Sequence, residues 1–223
     1  MIRCLFADID GIRLAPKGAA LAIDGARLAI CEVSESTEVE VRRLLPMLAP
    51  EMELDVQVGT RVIPETGELG AAVSPRRISW TVDASRGDVA SIARRQLRFT
   101  LFHEMHHCAR GWVFRGGARR TSFMDGVVAE GLATAFERDA GGSRPPWGQY
   151  TAEAKEWVTE LVKLPVSAPY EQWMFRHPDG RRWIGYRAGT YIADRAIAAS
   201  GFSAADLVNV ATSEVMRMAG IGQ

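Results

Sequence analysis

Asp88 to Gly111 reads DVASIARRQLRFTLFHEMHHCARG, and the architecture of the chain follows from this stretch. Asp88 is a residue type that caps helices, no Gly or Pro interrupts Val89 to Arg110, and Gly111 supplies a stop. The spacing predicts one long helix. Inside it, His103-Glu104-Met105-His106-His107 contains HExxH. On a helix His103 and His107 stand at i and i+4, so both imidazoles project from one face toward one point. Two neutral imidazoles at that spacing can bind one divalent metal, and zinc is the common choice. Glu104 is turned about 100° away, so it does not ligate but can take a proton from a metal-bound water. The metal brings the pKa of that water to about 7. Three of the chain's four histidines lie in this short segment, on a helix otherwise carrying Ile92, Leu97 and Phe99.

Two imidazoles leave zinc short of a ligand, because a catalytic site usually has three protein ligands. The third is expected from a following helix, Ser122 to Asp139, and Glu130 is the candidate. It sits mid-helix in Val128-Ala129-Glu130-Gly131-Leu132-Ala133-Thr134, among apolar residues where an unpaired carboxylate is costly. Gly131 and Ala133 are small enough for close helix packing. Asp125 and Glu137 are the alternatives, and Glu137 could instead hydrogen-bond a ligand's other ring nitrogen. His106 faces away from the His103/His107 pair and reads as a supporting or partly exposed residue. Cys108 reads as packing.

Upstream, Ile2–Ile9 and Leu21–Ile30 read as short β pieces broken by Gly11, Gly18 and Gly25. Ser36 to Leu48 reads as a helix capped by Ser36 and limited by Pro46. Leu54–Val58 alternates as a strand, a turn-rich stretch with Pro64, Gly67 and Gly70 follows, and Arg77–Val82 is a second strand rich in β-formers. Beyond Gly141 and Gly142 the chain reads as helical over 151–163, 184–199 and 204–218, with a turn through Pro178-Asp179-Gly180. Ser203 and Asp206 resemble a capping box for the last helix. Strands first and helices after predict an α+β fold. One domain is expected over residues 1–223, with 1–87 mainly β and 88–223 mainly helical and carrying the metal site.

Composition narrows the function. The chain has 223 residues, 47% hydrophobic and 24% charged, with 27 Lys+Arg against 27 Asp+Glu. A neutral whole argues against nucleic acid or an anionic membrane as partner. Residues 86–120 nevertheless hold eight arginines against Asp88 and Glu104, which reads as a basic rim near residue 104. Three cysteines, Cys4, Cys31 and Cys108, form no CxxC pair and suit a reducing compartment. No apolar signal region and no membrane-length apolar run are present, so the expected location is cytoplasmic.

HEMHH, then AEGLAT, then Gly185-Tyr186-Arg187-Ala188-Gly189 resembles a bacterial family of predicted zinc-dependent proteases, domain of unknown function 2268. HExxH followed by Glu-x-x-Ala on a later helix also resembles the gluzincin metallopeptidases. The resemblance runs from about Leu54 to the last helix. It implies a zincin-like fold with His103, His107 and Glu130 as zinc ligands and Glu104 as the base. It also implies that Arg77–Val82 is a sheet edge able to pair with an extended peptide substrate. A donor for the developing oxyanion is needed besides the metal. Tyr186 is the first choice and His177 the second.

The leading reading is a zinc peptidase acting on peptide or protein substrates. The alternative is a zincin-derived binding or regulatory protein that keeps the metal for stability. Phe6-Ala7-Asp8-Ile9-Asp10-Gly11 also resembles the DxDG opening of haloacid-dehalogenase-type phosphatases, with Asp8 as nucleophile. The helix-rich second half lacks the alternating strands that such a fold requires, so Asp8 and Asp10 read as turn formers.

Overall fold

The computed structural model describes residues 1–6, 17–113 and 121–222. Asp8, Asp10 and Gly11 lie outside these, as do Arg115, Arg119 and Arg120 of the basic stretch. The described chain gathers into two compact units. The first draws on residues up to 109 together with 113, and the second on residues 110–112 and 121–222.

The first unit is built on a mixed sheet of β1 (Ile2–Phe6), β2 (Met52–Val58), β3 (Glu68–Ser74) and β4 (Arg77–Val82) in the order β1-β2-β4-β3. β1, β2 and β4 run parallel, and β3 pairs antiparallel with β4. Parallel neighbours need a crossover of a dozen residues or more. α1 (Lys17–Leu44) supplies it between β1 and β2. This corrects the strand expected at Leu21–Ile30 and moves the helix expected from Ser36 far upstream. Ile23, Ala26, Ile30, Ser34, Thr37 and Val41 are buried at steps of three and four, the period of one helix face. Ser36 lies mid-helix, its hydroxyl donating to the Glu32 carbonyl at 2.9 Å, so it caps nothing. Glu38, also buried, accepts from the Ile2 N–H at 2.5 Å and pairs with Arg42 at 2.8 Å, tying β1 to α1.

β3 replaces the turn-rich stretch expected around Gly70. Its return over β4 places β4 between β2 and β3, so β4 is an interior strand and not the expected edge. Asp88 caps the next helix as expected, accepting from the Ser91 N–H at 2.9 Å. The Ser91 hydroxyl and N–H hold its carboxyl below the usual range. The helix runs as α2 (Val89–Ile92), a π-helical stretch (Ala93–Leu97) and α3 (Arg98–Arg110). Gly111 follows at φ 75°, the left-handed conformation that ends a helix.

The second unit is helical: α4 (Met124–Asp139), α5 (Ala154–Leu161), α6 (Tyr170–Met174), α7 (Ile184–Ser200) and α8 (Thr212–Met218). α4 is buried around nearly its whole circumference, and α7 packs along it. The crossing is tight: a Cβ on Gly131 would stand 2.1 Å from the Gly189 carbonyl. Arg138 on α4 grips Asp194 on α7 through two nitrogens, and the Tyr150 hydroxyl donates to the same carboxylate at 2.7 Å. Ser203 and Asp206 form the capping box, with Asp206 accepting from the Ser203 N–H at 2.8 Å. It closes a series of turns, and the last helix begins only at Thr212, eight residues later than expected.

Two glycine substitutions should separate tight packing from open space. Gly131→Ala should destabilise by about 2–3 kcal/mol through overpacking, a fall in melting temperature of roughly 5–10 °C. Gly25, on the exposed side of α1 with nothing near its missing Cβ, should tolerate Ala with a gain of about 0.5–1 kcal/mol. Thermal unfolding of both variants checks this. Equal melting temperatures would contradict the α4–α7 crossing.

Candidate metal centre

Leu101 to Cys108 on α3 are all buried, the polar residues included. His103, Glu104 and His107 are 7%, 8% and 4% exposed, too little for ordinary solvated side chains. The sequence spacing is realised: the Nε2 atoms of His103 and His107 stand 3.1 Å apart with the rings nearly perpendicular, at 76°. Two nitrogens bound at 2.0–2.1 Å to one tetrahedral ion stand about 3.3 Å apart. The donor pair therefore fits a zinc-sized ion without rearrangement of the helix.

Glu104 turns off that axis toward β3. Its Oε2 accepts from the Ala72 N–H at 2.7 Å. The approach depends on Gly70, whose added Cβ would stand 2.4 Å from Thr100 Cγ2 and 2.9 Å from Glu104 Cγ. Thr100 and Glu104, one turn apart, thus lie as a ridge against β3. A second buried carboxylate supports the same contact. Glu68 on β3 accepts from Trp80 Nε1 and from the Thr100 hydroxyl, both at 2.8 Å. Sequence reasoning missed Glu68; a charged residue two before Gly70 in a stretch read as turns gave no signal of burial.

His106 is fully buried rather than partly exposed. Cys108 packs as expected, its thiol donating to the Ser74 carbonyl at 3.5 Å. Burial, and then the Glu104 charge, push its pKa well up. Two arginines of the basic stretch are engaged within the fold. Arg98 pairs with Glu40 at 2.7 Å and stacks on Phe102, and Arg86 donates to the Pro64 carbonyl at 2.5 Å.

In the second unit, Glu130 lies mid-α4 and is 8% exposed. The Tyr170 hydroxyl stands 3.3 Å from its Oε1. Nothing local in the sequence pointed to Tyr170, which is forty residues away. Asp125 and Glu137 have other work. Asp125 accepts from the N–H groups of Thr121 and Ser122 at 2.7 and 2.9 Å, closing the turn that leads into α4. Burial raises its pKa, but the Ser122 and Thr121 N–H groups outweigh it and hold the carboxyl low. Glu137 accepts from the Ser143 hydroxyl at 2.6 Å and anchors the chain after α4.

Tyr186 sits in the first turn of α7, half-buried, its ring 5.8 Å from Phe175 and 5.7 Å from Trp183. Trp183 just before α7 has φ 61°, unusual for a bulky residue and a cost borne by the backbone. His177 lies in a surface network: its Nδ1 is 2.8 Å from Asp179, whose other neighbour is Arg181.

The chain belongs to the family described as Predicted Zn-dependent protease (DUF2268), which matches residues 29–217. The match takes in the HExxH helix, α4 and α7, the three segments on which the resemblance rested. No curated protein and no solved structure matches the chain. Among the described residues, no helix is long and apolar enough to cross a membrane.

The buried, neutral Cys108 thiol should be chemically inert in the folded protein, because the thiolate is the reactive form. A water-soluble alkylating reagent at pH 8 should spare Cys108 in the native chain and modify it in denaturant. Mass spectrometry of the digested protein reads both. Modification of native Cys108 at the denatured rate would mean that the end of α3 is open.

Proposed function

We propose that this chain is a zinc-dependent peptidase with a zincin-like arrangement, working as one functional domain, in which His103, His107 and Glu130 could hold a single metal ion. Two buried imidazole nitrogens 3.1 Å apart on α3, together with a buried carboxylate on α4, carry this reading. When bound, zinc supplies a Lewis acid that polarises the scissile carbonyl and acidifies water. Glu104 is the general base. Its hydrogen bond from Ala72 fixes the carboxylate, which would accept a proton from water and later return it to the leaving amine. Tyr186 is the proposed oxyanion donor. It lies on the helix that crosses α4 at Gly131, the residue after Glu130.

The substrate in this reading is an extended peptide segment. β3 now takes the role first given to β4, because among the described residues β3 is paired along one side only. Peptide addition to a free edge uses main-chain hydrogen bonds and tolerates varied side chains. Glu104 already lies against β3 at Gly70 and Ala72, which puts the base beside that edge. A cytoplasmic location accords with three free cysteines.

Zinc should be present at one per chain in purified protein, and His103→Ala should abolish it. Metal analysis decides this, and undiminished zinc in the variant would remove the centre from α3. Glu104→Gln should retain zinc and lose on the order of 100-fold or more in peptide hydrolysis. The check is turnover of a peptide library cleaved by the wild type. Near-normal rates in the variant would sink the assignment of Glu104 as base.

A further inference from the structure

The helix face that carries Glu130 is shaped around one phenol. Phe123, Gly126 and Glu130 follow one another at three- and four-residue steps, so they form a continuous stripe at the start of α4. The Tyr170 ring lies along that stripe. It stands 5.8 Å from the Phe123 ring at a tilt of 48°. At Gly126 the contact is closer still: an added Cβ would lie 2.6 Å from Tyr170 Cε2, 3.0 Å from its hydroxyl and 3.1 Å from Trp112 Cζ2. The ring is therefore seated where only glycine fits, and the seat aims its hydroxyl at Glu130 Oε1, 3.3 Å away.

From this geometry we infer that Tyr170 is a positioning residue for Glu130, holding its carboxylate in the rotamer that meets the metal. The inference rests on the proposed role of Glu130 as a ligand. A mid-helix glutamate has three rotatable side-chain bonds, and a ligand free to rotate gives up entropy on binding. A phenol that donates to one oxygen restricts the rotamer before the metal arrives. Partners of this kind typically contribute 10–100-fold to metal affinity. The seat also separates this role from simple core filling. Tyr170 is only half-buried, and its ring contacts with Phe123 and Gly126 would survive loss of the hydroxyl.

The test is zinc affinity by chelator competition on the full chain, together with the visible spectrum of the cobalt(II) form. Tyr170→Phe should weaken zinc about 10-fold, alter the cobalt bands and leave the metal-free melting temperature within about 2 °C of wild type. Gly126→Ala, which displaces the ring but keeps the hydroxyl, should weaken zinc in the same direction. Glu130→Gln is the control. Zinc lost in Glu130→Gln but bound normally by Tyr170→Phe, with an unchanged cobalt spectrum, would overturn this inference alone. Zinc bound normally by Glu130→Gln, or not bound by wild type, would overturn the proposed ligand set and this role with it.

Discussion

Glu104 reaches the Ala72 N–H only because Gly70 has no side chain, and much of the first unit follows from that approach. A helix brought this close to a strand must bury whatever polar groups it carries, and each buried carboxylate then needs hydrogen bonds. Glu104 takes one from the strand backbone. Glu68 takes two, from Trp80 on β4 and Thr100 on α3, so one carboxylate links two strands and the helix. Two costly groups are thereby turned into the pins that fix α3 on the sheet. The imidazoles of His103 and His107 inherit that fixed orientation, since they share the helix with the pinned residues.

How much of this was legible in the sequence depended on how local the determining contacts are. The HExxH helix, its Asp88 cap and its Gly111 stop were legible because caps and i,i+4 spacing are properties of a few adjacent residues. The burial of Glu130 mid-helix was legible because a charge in Val-Ala-Glu-Gly-Leu-Ala is conspicuous without any fold. α1 was not. Its residues include Gly25 and β-branched Ile23, Ile30 and Val33, weak helix formers that favour a strand reading locally. Only the parallel pairing of β1 with β2, a contact across about fifty residues, demands a crossover there. β3 failed for the converse reason. Gly70, Ala71 and Ala72 are poor strand formers, yet small residues are what α3 requires of the strand beneath it, and packing overrides propensity.

The misplacement of the edge has the same origin. Arg77–Val82 carries the β-branched and aromatic residues of a confident strand, and such residues suit the interior position it takes, with Ile78, Trp80 and Val82 fully buried. Among the described residues the outer positions fall to β1 and to the plainer β3, whose backbone is approached by Glu104. Strength of strand pattern thus marked the middle of this sheet, while the strand that Glu104 approaches was one with a weak pattern. Tyr170 was illegible in a stricter sense. Its seat at Gly126 and its hydroxyl's aim at Glu130 exist only once α6 is placed against α4.

Burial of charge is the constraint that shapes α4. Three charged residues along its length are met by specific partners: Glu137 by Ser143, Glu130 by Tyr170, and Arg138, nearer the surface, by Asp194. For a hydrogen bond from a phenol, a neutral glutamine at position 130 would serve as well as glutamate. What the carboxylate adds is a negative charge, and at 8% exposure that charge is expensive to hold unless a cation offsets it. Under the proposed reading, a bound metal ion would offset that charge.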